Sequence, residues 1–236
     1  MSQTWHGHNT AWGRLLAVLS AALLLLTVPM ADTSSAHGST INPASRNYGC
    51  WKRWGGDFQN PAMATQDPMC WQAWRADPNA MWNWNGLYRE NVAHNHQGVI
   101  PNGQLCSGGR TASGRYNAMD AVGAWTATRI PSSSNFTVQV HDAARHGATY
   151  YRVYVTKQGF NPLTEPLGWD DLELVRQTGA YAPGAGTPST EPQLNGVTVS
   201  IDVSAPGRTG RHMVYTIWQA AHMDQSYYLC SDVIFG

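Results

Sequence analysis

Two segments of this chain read as β-strands with one buried face. Phe136-Thr137-Val138-Gln139-Val140-His141 and Val197-Thr198-Val199-Ser200-Ile201-Asp202-Val203 alternate apolar and polar residues. Successive side chains of a strand point to opposite faces, so this period of two lines one face with Val and Ile. Met213 to Trp218 alternates more loosely, Tyr150 to Thr156 is rich in aromatic and β-branched residues, and Tyr227 to Phe235 closes the chain as a further strand. Gly/Pro turns separate these strands. A chain of 236 residues with 23 Gly and 13 Pro suits a turn-rich antiparallel sandwich better than a helical bundle.

The rest of the chain is less regular. From about Cys50 to Thr111 it is dense in Trp, Asn, Gly, Pro and Met. No sustained period of 2 or 3.6 runs through it, so it reads as a long, disulfide-braced insertion with short helical turns. Ala180 to Pro192, rich in Gly, Pro, Ser and Thr, reads as a surface loop, because the strands after it are needed to complete the sheet. Asp170, Asp171 and Glu173 follow a Gly and open an apolar Leu172/Leu174/Val175 stretch, the pattern of a short helix with acidic residues at its positive end.

Leu15 to Val28 is a near-continuous apolar run preceded by Arg14 and followed by small polar residues, which is the layout of a secretory signal peptide. It is shorter than the 18 or more apolar residues of a membrane span. Ser34-Ser35-Ala36 supplies small residues at a cleavage site, so residues 1–36 read as a leader and 37–236 as a single secreted, extracellular domain. In an oxidising compartment the four cysteines read as two disulfides. Of the three connectivities, Cys50–Cys70 with Cys106–Cys230 closes one local loop and staples the last strand to the body. Each such bond contributes roughly 3 to 5 kcal/mol by loop entropy.

Charge narrows the partners. Lys+Arg 15 against Asp+Glu 15 gives a neutral chain, which excludes an electrostatic grip on nucleic acid or an anionic membrane. With 11 Trp and 10 Tyr and only 13% charged residues, the surface offers rings and amides in place of ions.

Cleavage after Ala36 would expose His37. An N-terminal histidine has a free α-amine and an imidazole Nδ1 that can chelate one metal ion, whereas an internal histidine offers only an amide nitrogen. The amine pKa lies near 8, so a metal readily displaces its last proton. One further imidazole would complete a three-nitrogen set, and tetragonal nitrogen donors suit Cu(II).

Blocks along the mature chain resemble one family. They are His37-Gly38, Pro43-Ala44-Ser45-Arg46, Tyr48-Gly49-Cys50, Asp67-Pro68-Met69-Cys70-Trp71-Gln72-Ala73-Trp74, Met81-Trp82-Asn83-Trp84-Asn85-Gly86-Leu87-Tyr88, Tyr154-Val155-Thr156-Lys157 and Cys230-Ser231-Asp232-Val233. Together they resemble bacterial lytic polysaccharide monooxygenases of auxiliary-activity family 10, formerly carbohydrate-binding module family 33. The resemblance implies an immunoglobulin/fibronectin-III-like antiparallel β-sandwich with a partly helical insertion. It also implies one copper ion per chain, an external electron donor, O2 or hydrogen peroxide as co-substrate, and action as a monomer.

Six further histidines follow His37 in the mature chain: His94, His96, His141, His146, His212 and His222. The resemblance puts the second ligand in an Ala-x-His segment, which is Ala144-Arg145-His146 here, with His141 as runner-up. His94 and His96 sit in a polar loop and read as exposed. The resemblance makes Ala144 the small residue beside one axial position. Counting back five from Asp232 puts Tyr227, with Tyr228 as competitor, where many relatives carry an axial Phe. Gln225 falls where relatives place a hydrogen-bonding Glu or Gln, and Trp82 and Asn85 where they contact substrate. Trp51, Trp54, Trp71, Trp74, Trp84, Trp125, Trp169 and Trp218 read mainly as core.

Three classes of function compete. A copper monooxygenase would hydroxylate C1 or C4 of a β-1,4 linkage in crystalline polysaccharide. A protein that only binds chitin or cellulose uses the same aromatics but gives no reason to expose His37. A hydrolase needs paired carboxylates across the scissile bond, and Asp170, Asp171 and Glu173 do not read as such a pair. An Asn at position 85 beside Trp82 resembles relatives that oxidise cellulose at both C1 and C4 and often act on chitin at C1.

Overall fold

The computed structural model describes residues 1–2 and 37–236, so the leader assigned to residues 1–36 lies, but for its first two residues, outside the described residues. The chain divides into two units, Met1–Ser34 and Ser35–Gly236, and the strands and helices described belong to the second. Among the described residues no helix is long and apolar enough to cross a membrane.

In chain order the strands are β1 (Gly38–Asn42), β2 (Tyr88–Glu90), β3 (Thr128–Ile130), β4 (Asn135–Asp142), β5 (Ala148–Thr156), β6 (Leu172–Gln177), β7 (Thr187–Pro188), β8 (Val197–Ser204), β9 (Gly210–Ala220) and β10 (Gln225–Phe235). One sheet runs β1-β4-β8-β7 and the other β2-β10-β9-β5-β6, with β3 also paired to β10. The pairings are antiparallel apart from that of β3 with β10. This is the expected sandwich, and the five strands read from the sequence are all present with their ends extended by a few residues.

The central strands β9 and β10 of the larger sheet are buried on both faces. Val153, Val214, Trp218 and Leu229 point toward Val138, Val140, Val199 and Ile201 of the smaller sheet. From the opposite face of the larger sheet Met213, Tyr215, Ile217, Tyr228 and Cys230 pack against Met63, Trp74 and Met81 of the insertion and against Trp125 beyond it. A strand covered on both sides keeps no polar face, which is why Met213 to Trp218 alternates only loosely.

The insertion carries α1 (Arg46–Trp54), α2 (Met63–Gln66), α3 (Pro68–Ala76), α4 (Asn79–Trp82) and α5 (His96–Val99). Ser45 Oγ accepts the Tyr48 N–H to cap α1, and Lys52 and Arg53 lie in its last turn, where cations favour the helix C-terminus. Pro68 opens α3, where its missing N–H costs nothing. Both expected disulfides are present, Cys50–Cys70 joining α1 to α3 and Cys106–Cys230 joining the insertion to β10. A buried ion pair adds a third tie. Arg46 Nε lies 2.7 Å from Asp232 Oδ2, Nη1 donates to the Met119 carbonyl at 2.6 Å, and the guanidinium covers the Trp125 ring.

The short helix expected after Gly168 is a correction. Trp169–Asp171 forms one 3₁₀ turn, but Leu172, Leu174 and Val175 belong to strand β6 and not to a helix. As an edge strand β6 leaves most of its residues in solvent, so burial imposes little alternation on it. Trp74, Trp84, Trp125 and Trp218 are buried, while Trp51, Trp54, Trp71 and Trp169 are partly buried and pack against the clusters.

Candidate metal centre

Residue 37 sits at the entry to β1, held from two sides. Its carbonyl accepts the Ala143 N–H at 2.8 Å, and the next N–H, of Gly38, donates to the Asn85 carbonyl at 2.8 Å. β1 pairs with β4 so that Gly38 faces Asp142. Only glycine fits at 38, because a Cβ there would overlap the His141 carbonyl oxygen and the Trp218 ring.

His146 rides on the turn between β4 and β5. The buried carboxylate of Asp142 accepts the N–H groups of Ala144 at 3.2 Å and Gly147 at 2.9 Å, closing the turn from inside. Arg145 and Gly147 both take positive φ, 60° and 71°. At Gly147 a Cβ would also strike the Tyr181 and Ala182 backbone. The Trp218 indole N–H donates to the Gly147 carbonyl at 2.9 Å. One buried indole therefore touches the neighbours of both histidines. Ala144 is half-buried on the same turn.

The tyrosine pair divides between the two faces of β10. Tyr227 is buried and stacks on Trp218, centroids 4.5 Å apart at 21°, on the side of Gly38. Its hydroxyl donates to Gln225 Oε1 at 3.1 Å, and burial raises its pKa well above the usual phenol range. Gln225 is itself buried, with its amide reaching Glu90 Oε1 at 3.4 Å. Tyr228 points the other way, into the cluster under the insertion, where its hydroxyl meets His96 Nδ1 at 3.0 Å.

The remaining histidines separate cleanly. His96 corrects the reading of an exposed loop residue, for it is buried. Its Nε2 lies 2.8 Å from the Tyr150 hydroxyl, and burial, reinforced by Arg152 and His94, pushes its pKa down to about 4. His94 is exposed as expected. His141 is buried beside Trp84, and burial lowers its pKa. His212 is buried and bonds Gln158 Oε1 through Nε2 at 3.0 Å. His222, which no sequence motif singles out, stacks on His146 with centroids 3.7 Å apart and planes at 15°. Its pKa is lowered by burial and then by His146.

Trp82 is 44% exposed and rests edge-on against Phe58 and Trp74. Asn85 is half-buried and bonded to β1 through its carbonyl. A cleft of about 190 Å³ opens beside His37 between Asn83, Tyr88, Thr111 and Arg115. Two of the carboxylates weighed for hydrolysis have structural roles, since Asp171 accepts the Gly168 N–H at 2.8 Å and Glu173 pairs with Arg208.

Among the described residues no group of three or more His, Cys, Asp or Glu side chains is arranged to hold a metal. His37 and His146 could hold a metal together with a free amine at residue 37, were the chain to begin there. This all-nitrogen set fits copper.

The fold is thus a sandwich with a disulfide-braced helical insertion, with His37 at the entry to β1 and His146 on the β4–β5 turn beside it. Residues 37–233 match the family described as lytic polysaccharide mono-oxygenase, cellulose-degrading. The chain belongs to that family, whose members are enzymes that use one copper ion. It is 34% identical over 223 residues to chitin-binding protein CbpD of Pseudomonas aeruginosa, covering 92% of this chain and 53% of that protein. The chain thus spans about half the length of that curated relative. Among solved structures it is similar to LPMO10B from Micromonospora aurantiaca, with 68% identity, a TM-score of 0.81, and coverage of 85% of this chain and 100% of that one. It is also similar to the cellulose-active CelS2 in complex with copper, with 28% identity, a TM-score of 0.71, and coverage of 85% and 99%.

Proposed function

We propose that residues 1–36 direct export and are removed. The secreted, monomeric chain beginning at His37 then oxidises crystalline cellulose at C1 and C4, and chitin at C1. The observation that carries this reading is the hydrogen bond from the Ala143 N–H to the His37 carbonyl, which sets the amino end of β1 against the turn bearing His146. Cleavage would convert the amide nitrogen of His37 into an amine, and that amine with the imidazoles of His37 and His146 would hold the metal. Bound copper supplies one-electron chemistry, taking electrons from an external donor and activating O2 or hydrogen peroxide.

The protein's part is to orient and to exclude. Tyr227 presents a desolvated, neutral phenol whose proton is engaged by Gln225, and it would set a ring that carries no charge beside the metal. Ala144, two residues before His146, would leave room beside the metal through its small side chain. The exposed ring of Trp82 offers a face to stack on sugars, and the Asn85 amide can bond hydroxyls. A polar, less bulky residue at 85 would let a glucan chain shift by a fraction of a ring, so that either C1 or C4 could face the metal site. The family's description as cellulose-degrading and a relative named for binding chitin support both substrates.

Protein with its native amino terminus should release aldonic acids and C4-oxidised ends from cellulose, and C1-oxidised products from chitin, when a reductant is supplied. His146→Ala should abolish oxidation with the fold intact, because the residue is only half-buried on a surface turn and lies outside both cores. One extra residue ahead of His37 should be equally damaging. Oxidised products from His146→Ala would disprove the ligand assignment, and C1 products alone from cellulose would remove the role of Asn85.

A further inference from the structure

His222 lies outside the expected ligand set, yet its ring covers one face of His146. The two imidazoles are near parallel, 15° apart, with centroids separated by 3.7 Å. The lone pairs of the two rings lie in separate, near-parallel planes, so while the stack persists His222 would flank His146 and would not serve as a third ligand to an ion that His146 holds.

The turn that carries His222 is held in place. It joins β9 to β10 and is exposed at Ala221, His222 and Met223. At its end Asp224 is bonded to the insertion twice: its carbonyl accepts the Asn91 N–H at 3.0 Å, and its Oδ2 accepts the Ala93 N–H at 2.7 Å. The Gln225 N–H closes back on the Met223 carbonyl at 2.8 Å. The ring of His222 thus projects from a braced hairpin.

His146 itself is only half-buried, on a turn fixed through its backbone by Asp142 and Trp218. Those bonds settle where its Cα stands and leave the direction of the ring plane to side-chain contacts. We propose that His222 is a positioning residue, which sets the plane of the His146 imidazole by stacking on it and so sets the orientation of the bound copper. The inference rests on the reading of His37 and His146 as copper ligands. Groups around a metal that orient its ligands typically change affinity 10- to 100-fold when removed.

The test uses mature protein with its native amino terminus, as wild type, His222→Ala and His222→Phe. In the copper-free protein, the His146 ring protons should move downfield in His222→Ala, because the shielding from the stacked ring is lost. Copper titration should then show roughly tenfold weaker binding, and the Cu(II) electron paramagnetic resonance spectrum should change its g and hyperfine values. His222→Phe keeps a ring without nitrogens and should restore all three readouts toward wild type.

Unchanged ring-proton shifts and an unchanged Cu(II) spectrum in His222→Ala overturn the proposal. So does a change in His222→Ala that Phe fails to restore, since that assigns the effect to the nitrogens. Wild-type protein that binds no copper defeats the reading of His37 and His146 as ligands, while the ring-proton shifts still decide whether the stack orients His146.

Discussion

The indole N–H of Trp218 donates to the Gly147 carbonyl at 2.9 Å, while the edge of the same ring occupies the space a side chain at Gly38 would need. A single core residue thereby fixes the spacing between the two segments that bear His37 and His146. Trp218→Phe keeps an aromatic filler but leaves the Gly147 carbonyl without this donor. An unmade buried hydrogen bond costs about 1–3 kcal/mol, a loss that urea unfolding should register, together with faster release of copper. Copper release at the wild-type rate would show that the turn is held by Asp142 alone.

The two disulfides close loops of very different length, with separations of 20 and 124 residues. Loop entropy makes the longer one worth more by about 1.5 kcal/mol. Replacing Cys106 and Cys230 with Ala should therefore lower the denaturant midpoint further than replacing Cys50 and Cys70. The reverse order would place the dominant contribution in local packing around α1 and α3.

Arg46 and Asp232 form a buried pair, with side chains 5% and 1% exposed. Arg46→Met strands a carboxylate whose other cation, Arg211, stands 3.9 Å away. Breaking one side of such a pair costs roughly 3–5 kcal/mol. Pairing that change with Asp232→Asn should recover part of the loss, so calorimetry of the double variant should show less than the sum of the singles.

Acid should weaken the fold through His96. Its pKa is about 4 in the folded chain against about 6.5 unfolded, so the unfolded chain binds the extra proton first. Stability from this residue is whole above pH 6.5, declines as pH falls below it, and is fully lost near 4. The depth is on the order of 3 kcal/mol. Asp120 opposes it, since burial raises its pKa to about 6 and so favours the folded state at low pH. His96→Gln should flatten the decline between pH 6.5 and 4 in urea titrations. A slope equal to wild type would place the acid sensitivity elsewhere.

Strands with one wet face were legible from alternation alone, as β4 and β8 show. β9 was legible only loosely because both of its faces are buried, and β6 was misread because almost none of its surface is. His146 was reached through resemblance to a family motif. His222 had no such marker, and its relation to His146 depends on the β9–β10 hairpin folding back over a turn more than 70 residues earlier in the sequence. His96 was misplaced for a similar reason. Its loop is polar, but Tyr150 and Tyr228, far along the chain, close over it and give both ring nitrogens partners.

The burial of β9 and β10 on both faces bears on how this scaffold tolerates change. Most substitutions within these two strands alter one of two cores. Variation aimed at new polysaccharides therefore belongs on the outer side of the insertion, at exposed residues such as Gln59, Arg75 and Trp82. There a library can diversify exposed side chains while the hairpin keeps its register.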